Sequence, residues 1–189
     1  YIFNKTDLYN IMNNGYLKII LGCMYAGKTS KLIHIYKMMK FSNIHTLVIN
    51  YEEDNRYDKE KLSTHDNIMI PCTKTNTLLS LKIPENIKVL IVNEGQFFPD
   101  LYEFVSNNLK IGKNIYVCGL DGDFKMEKFG QILDIIPLCN EVEKLSAICA
   151  LCKNGEKAFF TKRITKEKSQ KVIGLNNHLP VCRSCHQKV

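Results

Sequence analysis

Arginine is almost missing from this chain. Of its 26 basic residues only Arg56, Arg163 and Arg183 carry a guanidinium. No apolar run approaches the ~20 residues that a helix needs to cross a bilayer, which excludes a helical membrane span. There is no internal repeat and no low-complexity tract. Apolar residues at 45% against charged ones at 24% exclude an intrinsically disordered chain. Residues 1–14 lack a basic stretch followed by an apolar core, so no secretory leader is expected, and Tyr1 in place of Met suggests that the numbered chain lacks its true start. A reducing, cytoplasmic setting is therefore expected, and in it the eight cysteines favour metal ligation over disulfides.

Lysine is what the chain has in excess, and the net charge is +7. Such a balance suits an anionic partner, whether nucleic acid, an acidic membrane or a phosphorylated small molecule, and does not choose among them. With lysine as the default cation the three arginines stand out, because their planar forks make contacts that an ammonium cannot.

The apolar pattern reads as α/β. Tyr16–Leu21 (YLKIIL) predicts a buried strand, and Leu32, Ile35, Tyr36 and Met39 then share one face of a helix. Ile44–Asn50 predicts a second strand, followed by a charged loop over 51–67. Asn67–Pro71, Val89–Asn93 and Asn114–Gly119 predict three more strands, with a helix opened by Pro99 and running to Lys110. Short apolar strands alternating with amphipathic helices predict a mostly parallel sheet. From about Ala147 the pattern turns short, cysteine-bounded and lysine-rich. The expected division is a loose lead-in over 1–14, a nucleotide-binding domain over 15–146 and a small zinc-bearing domain over 147–189.

Residues 22–29, Gly22-Cys23-Met24-Tyr25-Ala26-Gly27-Lys28-Thr29, satisfy every fixed position of G-x-x-x-x-G-K-[ST], between a predicted strand and a predicted helix. The glycines let successive N–H groups turn toward phosphate oxygens, and the helix start adds favourable partial charge. Lys28 would reach the β- and γ-phosphates, and the Thr29 hydroxyl would face Mg²⁺, with Ser30 just behind. At the end of the VLIV strand, Asn93 stands where a metal-supporting Asp is usual. Glu94 follows, placed to take a proton from an attacking hydroxyl. Cys149-x-x-Cys152 and Cys182-x-x-Cys185 make two knuckles, four thiolates that suit a closed structural zinc site. The segment between them is too polar for a core of its own and reads as a tethered flap.

GCMYAGKTS, DNRY (54–57), THD (64–66), NEGQFFPD (93–100), LDGDF (120–124), the first C-x-x-C, FTKR (160–163), VIG (172–174) and CRSC (182–185) occur here in one order. That ordered set resembles the type II thymidine kinases, over about residues 16–186. The resemblance implies a RecA-like phosphate-loop domain with a C-terminal zinc-binding lasso, and transfer of the ATP γ-phosphoryl to the 5′-hydroxyl of thymidine, with deoxyuridine beside it. It implies Glu94 as general base, Arg56 as the cation near the transferred group, and Met24, Phe97, Leu120, Phe124 and Phe129 as the wall of the thymine pocket. Thr161 and the backbone of Val172, Ile173 and Gly174 would hydrogen-bond the base. It further implies ATP, Mg²⁺ and structural zinc, a homotetramer, and no membrane partner. Two departures are evident. Asn93 replaces the usual Asp, and Leu175 stands where the lasso's second glycine is usual, with no tyrosine before the last cysteine pair. An ATP-driven nucleic-acid clamp is the alternative from another class, and steeply salt-dependent binding of single-stranded DNA would mark it. A nucleoside monophosphate kinase with a zinc lid fits less well, because its lid would be inserted mid-chain.

Overall fold

Six parallel strands form the centre of the protein. The computed structural model describes residues 15–53, 61–63, 68–172 and 177–188. Arg56, Ile173, Gly174, the THD triplet and the 1–14 lead-in lie outside these residues. Strand β1 (Tyr16–Gly22) pairs with β7 (Asn114–Gly119) on one side and β8 (Glu141–Leu145) on the other. Beyond β7 come β6 (Val89–Val92), β2 (Thr46–Tyr51) and β5 (Thr73–Thr75), in the order β5-β2-β6-β7-β1-β8. All five pairings are parallel.

Strands buried on both faces must be apolar at successive positions, and VLIV and NIYVCG are buried throughout. The pleat sends alternate residues to opposite cores. Leu17, Ile19, Leu21, Leu90, Val92, Ile115 and Val117 join Leu101, Phe104 and Val105 of helix α2 (Leu101–Lys110). Ile20, Ile91, Tyr116 and Cys118 face the other way, against Leu32, Ile33 and Ile35 of helix α1 (Lys28–Phe41). Layers of helix, sheet and helix thus follow from the strand composition.

Up to the end of β8 the structure differs from the sequence expectations in four places. Helix α2 begins at Leu101, not at Pro99; Asp100 precedes it, and its Oδ2 accepts the Leu79 N–H at 2.8 Å. The charged loop contains β3 (Lys61–Ser63), which pairs antiparallel with β4 (Met69–Pro71) in a hairpin outside the main sheet. Leu62 and Ile70 are buried on the α1 side, and these apolar positions are hidden in the sequence by charged neighbours. Strands β5 and β8 were not expected at all. Both are polar edge strands, and β8 is held by backbone pairing and by Lys18, which meets Glu141 at 2.7 Å and Glu143 at 2.8 Å.

After β8 the chain forms two small antiparallel pairs, β9 (Ala147–Ile148) with β10 (Lys157–Ala158) and β11 (Phe160–Arg163) with β12 (His178–Val181), and ends in the short helix α3 (Arg183–Gln187). A third apolar cluster joins Ala158 and Val181 to Cys149, Cys182 and Cys185, and to Cys23 of the phosphate loop.

Candidate active site

The phosphate loop follows β1 directly. Gly27 has φ 82°, a left-handed conformation that an L side chain adopts only at a cost, and Tyr25 shares it at φ 63°. An added Cβ on Gly27 would meet nothing within 4 Å, so its glycine answers to backbone conformation and not to crowding. Lys28 is buried, and its Nζ donates to the Cys23 carbonyl at 2.8 Å, which holds the ammonium inside the loop. Burial pushes the Cys23 thiol up, against the pull of the Lys28 charge.

Asn93 and Glu94 follow β6, and both are buried. Glu94 has φ 54°. A non-glycine residue in this region costs on the order of 1 kcal/mol or more and persists where its surroundings demand it. Gln96 braces it: Nε2 donates to Glu94 Oε2 at 2.7 Å, while Oε1 accepts the Leu120 N–H at 3.0 Å. A Cβ on Gly119 would overlap that Gln96 oxygen and push it from its place. Asn93 Oδ1 faces the Thr29 hydroxyl at 3.5 Å and accepts the Cys118 thiol at 3.0 Å, and Asn93 Nδ2 donates to Asn50 Oδ1 at 2.9 Å. Two neutral oxygens, from Thr29 and Asn93, thus converge at the loop, a donor set of the kind that suits Mg²⁺.

Aromatic rings cluster beyond Glu94. Phe97 lies 5.2 Å from Tyr51 and 5.5 Å from Phe129, the latter edge-on. The cysteine-bracketed segment crosses this region. Thr161 Oγ1 accepts the Met24 N–H at 3.2 Å, and the Cys23 thiol donates to the Ala158 carbonyl at 3.3 Å, so β10 and β11 rest on the phosphate loop. Arg163 then gathers the segment. Its guanidinium stacks on the Phe124 ring at 3.8 Å and donates to the carbonyls of Glu167 and Gln170 at 3.1 Å each, and to that of Ser169. Arg163 Nε donates to His178 Nε2 at 3.0 Å, which places the ring proton on the buried Nδ1. Burial and the Arg163 charge push the His178 imidazole down to about 4. Gln170 reaches Asp123 at 2.8 Å, and Lys171 lies 4.4 Å above the Tyr51 ring and pairs with Glu53 at 2.8 Å. Burial opposes the Lys171 charge, but hydrogen bonds to Glu53 and Tyr51 prevail and raise its pKa. A cavity of about 230 Å³ opens beside Cys23 and Thr161, lined also by Asp121, Asp123, Met126 and Phe160.

The sulfurs of Cys149, Cys152, Cys182 and Cys185 all lie within 4.8 Å of one another. Cys152 Sγ is 3.6 Å from Cys182 Sγ and 3.2 Å from Cys185 Sγ, near the roughly 3.8 Å edge of a tetrahedron with 2.3 Å Zn–S bonds. The N–H groups of Cys152 and Cys182 point at Cys149 Sγ. Burial raises the Cys149 thiol, but these amides and that of Leu151 outweigh it and bring it down to about 6. The crowded sulfurs push Cys152 the other way. Four sulfurs at these separations make a donor set that fits zinc.

Of the residues singled out from the sequence, the phosphate loop, Asn93, Glu94, Phe97, Leu120, Phe124, Phe129, Thr161 and Val172 lie among the described residues, while Arg56, Ile173 and Gly174 do not. Phe124 gives one ring face to Arg163. Sequence reasoning missed Asn50, Gln96, Cys118 and Lys171. Gln96 had a signal in its place two residues after Glu94 in a tight turn; the others meet their partners only across the fold.

The family profile described as Thymidine kinase matches residues 15–186. The thymidine kinase of Yaba monkey tumor virus is 39% identical over 178 residues, which cover 93% of this chain and 97% of that protein. That of Myxoma virus is 37% identical over 177 residues, covering 93% and 98%. The cytosolic thymidine kinase of Bos taurus is 36% identical over 176 residues, covering 92% and 73%. The chain belongs to the thymidine kinase family.

Proposed function

We propose that the protein transfers the γ-phosphoryl group of ATP to the 5′-hydroxyl of thymidine, and to that of deoxyuridine beside it. The single observation that carries this reading is that the cysteine-bracketed segment rests on the phosphate loop through Thr161 and Ala158.

Gly22 to Ser30 would cradle the triphosphate with backbone N–H groups, and Lys28 would exchange its bond to the Cys23 carbonyl for phosphate oxygens. Thr29 and Asn93 would hold Mg²⁺, which when bound neutralises charge on the phosphate oxygens. Glu94 would accept the proton of the 5′-hydroxyl as its oxygen attacks the γ-phosphorus, with Gln96 fixing the carboxylate's direction. Arg56 would face charge spreading over the equatorial oxygens. Met24, Phe97, Leu120, Phe124 and Phe129 would wall the base, a slot worth only about 1–3 kcal/mol per methyl in discrimination. Thr161 and the backbone of 172–174 would hydrogen-bond it. The Cys₄ cluster would hold a structural zinc that anchors the strap. The division at 146/147, a homotetramer and a cytoplasmic site of action belong to the same reading. Among the described residues no helix is long and apolar enough to cross a membrane.

The test is a radiolabelled nucleoside panel with ATP and Mg²⁺, comparing the native chain with Glu94→Gln. Turnover of thymidine should fall by about 10²–10⁴ in the variant while ATP binding is retained. A variant that keeps most of its turnover, or a native chain that spares thymidine, would sink the assignment.

A further inference from the structure

We infer, on the phosphoryl-transfer reading above, that Asn50 is a positioning residue: it holds the Asn93 side chain so that Oδ1, not Nδ2, faces Thr29 and the Mg²⁺ that accompanies the triphosphate.

An amide has a right end and a wrong end for a cation. Its oxygen offers lone pairs and its nitrogen offers N–H groups. Asn93 is 1% exposed and Asn50 2%, so solvent does not orient either of them. Orientation comes from partners. Asn93 Nδ2 donates to Asn50 Oδ1 at 2.9 Å, which leaves Oδ1 turned to the Thr29 hydroxyl at 3.5 Å and the Cys118 thiol at 3.0 Å. Turning the amide over would set two carbonyl oxygens against each other in a buried place and present N–H groups to the cation. Strands β2 and β6 are direct neighbours, paired Ile49 to Val92 at their C-terminal ends, and that pairing brings residues 50 and 93 together. A carboxylate at 93 would need no such partner, because both its ends accept. Asn50 thus compensates for a neutral residue at the position that supports the metal.

Replacing Asn50 with Leu keeps volume and removes the acceptor. The Asn93 amide then satisfies its nitrogen best by turning toward Thr29 and Cys118, which leaves about a tenth of the protein in the metal-competent orientation. The experiment is a cycle of native chain, Asn50→Leu, Asn93→Asp and the double variant. Binding of a non-hydrolysable ATP analogue is measured by calorimetry with and without Mg²⁺, and thermal melting reports folding. The affinity gained on adding Mg²⁺ should fall about tenfold for Asn50→Leu when Asn93 is present, and less than about twofold when Asp is at 93. Within each residue-93 background, binding without Mg²⁺ should be the same whether residue 50 is Asn or Leu. Equal losses in both backgrounds, as a simple packing role would give, or no loss in the native background, overturn the inference. Asn50→Ala repeats the cycle if leucine does not fit. No nucleoside is present in this assay, so a chain that fails to phosphorylate thymidine overturns the proposed function and leaves the cycle readable.

Discussion

Glu94 is the residue whose backbone speaks most plainly. Its φ of 54° and its buried carboxylate are held against ordinary preference by the neighbouring Gln96, whose other end is pinned to the Leu120 amide. Asn93 beside it lacks the charge a metal-supporting residue commonly carries. Asn93→Asp should lower the Mg²⁺ concentration for half-maximal rate several-fold, without loss of the folded state; titrating Mg²⁺ against rate at fixed ATP decides this. His178 makes a second prediction. Its folded pKa of about 4 lies below the ordinary 6.5, so the unfolded chain takes up a proton before the folded one does. Its contribution is intact above pH 6.5 and is lost as pH falls toward 4, on the order of 2–3 kcal/mol in all. In His178→Gln that loss should be missing, and melting curves of both proteins at pH 7 and pH 5 should converge or cross. Glu94 and Asn93 were legible in the sequence because they end an apolar strand. Asn50 was not, because an isolated polar residue says nothing of its partner until strands meet.

On the proposed function, the elements that carry chemistry are the phosphate loop and the strap. The loop could be read from eight residues because its geometry is local: Gly27 must enter a left-handed conformation and the helix must start there. The strap is held by contacts along its length, with Arg163 at the centre. An ammonium can stack on Phe124 or meet one carbonyl, but cannot do both while bonding His178. Arg163→Lys should therefore raise the thymidine KM by about tenfold and leave the KM for ATP and the kcat little changed; steady-state kinetics with each substrate varied separate these. Strands β5 and β8 escaped the sequence reading for a related reason. Their polar residues lie at sheet edges, where neighbouring backbone and the Lys18 pairs with Glu141 and Glu143 supply what apolar pattern does not.

For the molecule as a whole, the cysteine cluster joins strap to sheet. Its sulfurs share an apolar cluster with Cys23 of the phosphate loop, so removing a cation held there should be felt at the nucleotide site. Chelation, or Cys182→Ser, should lower the melting temperature and reduce both thymidine turnover and ATP affinity. Metal analysis of the native chain should find about one zinc per chain. A chelated protein with unchanged ATP affinity would show that the cluster holds only its own corner of the structure.

Chemistry confined to neighbouring residues was set by sequence: the phosphate turn, the carboxylate after VLIV and the two cysteine knuckles each need only a few adjacent positions. What folding alone settled is the pairing of distant groups. Asn50 and Asn93 are 43 residues apart, Met24 and Thr161 137, and Tyr51 and Lys171 120. The parallel sheet gathers the C-terminal ends of β1, β2, β6 and β7 at one edge, and the cysteine cluster returns the strap to it. A side chain's hydrogen-bond partner, and hence which end of an amide faces the cation, exists only once those edges are aligned.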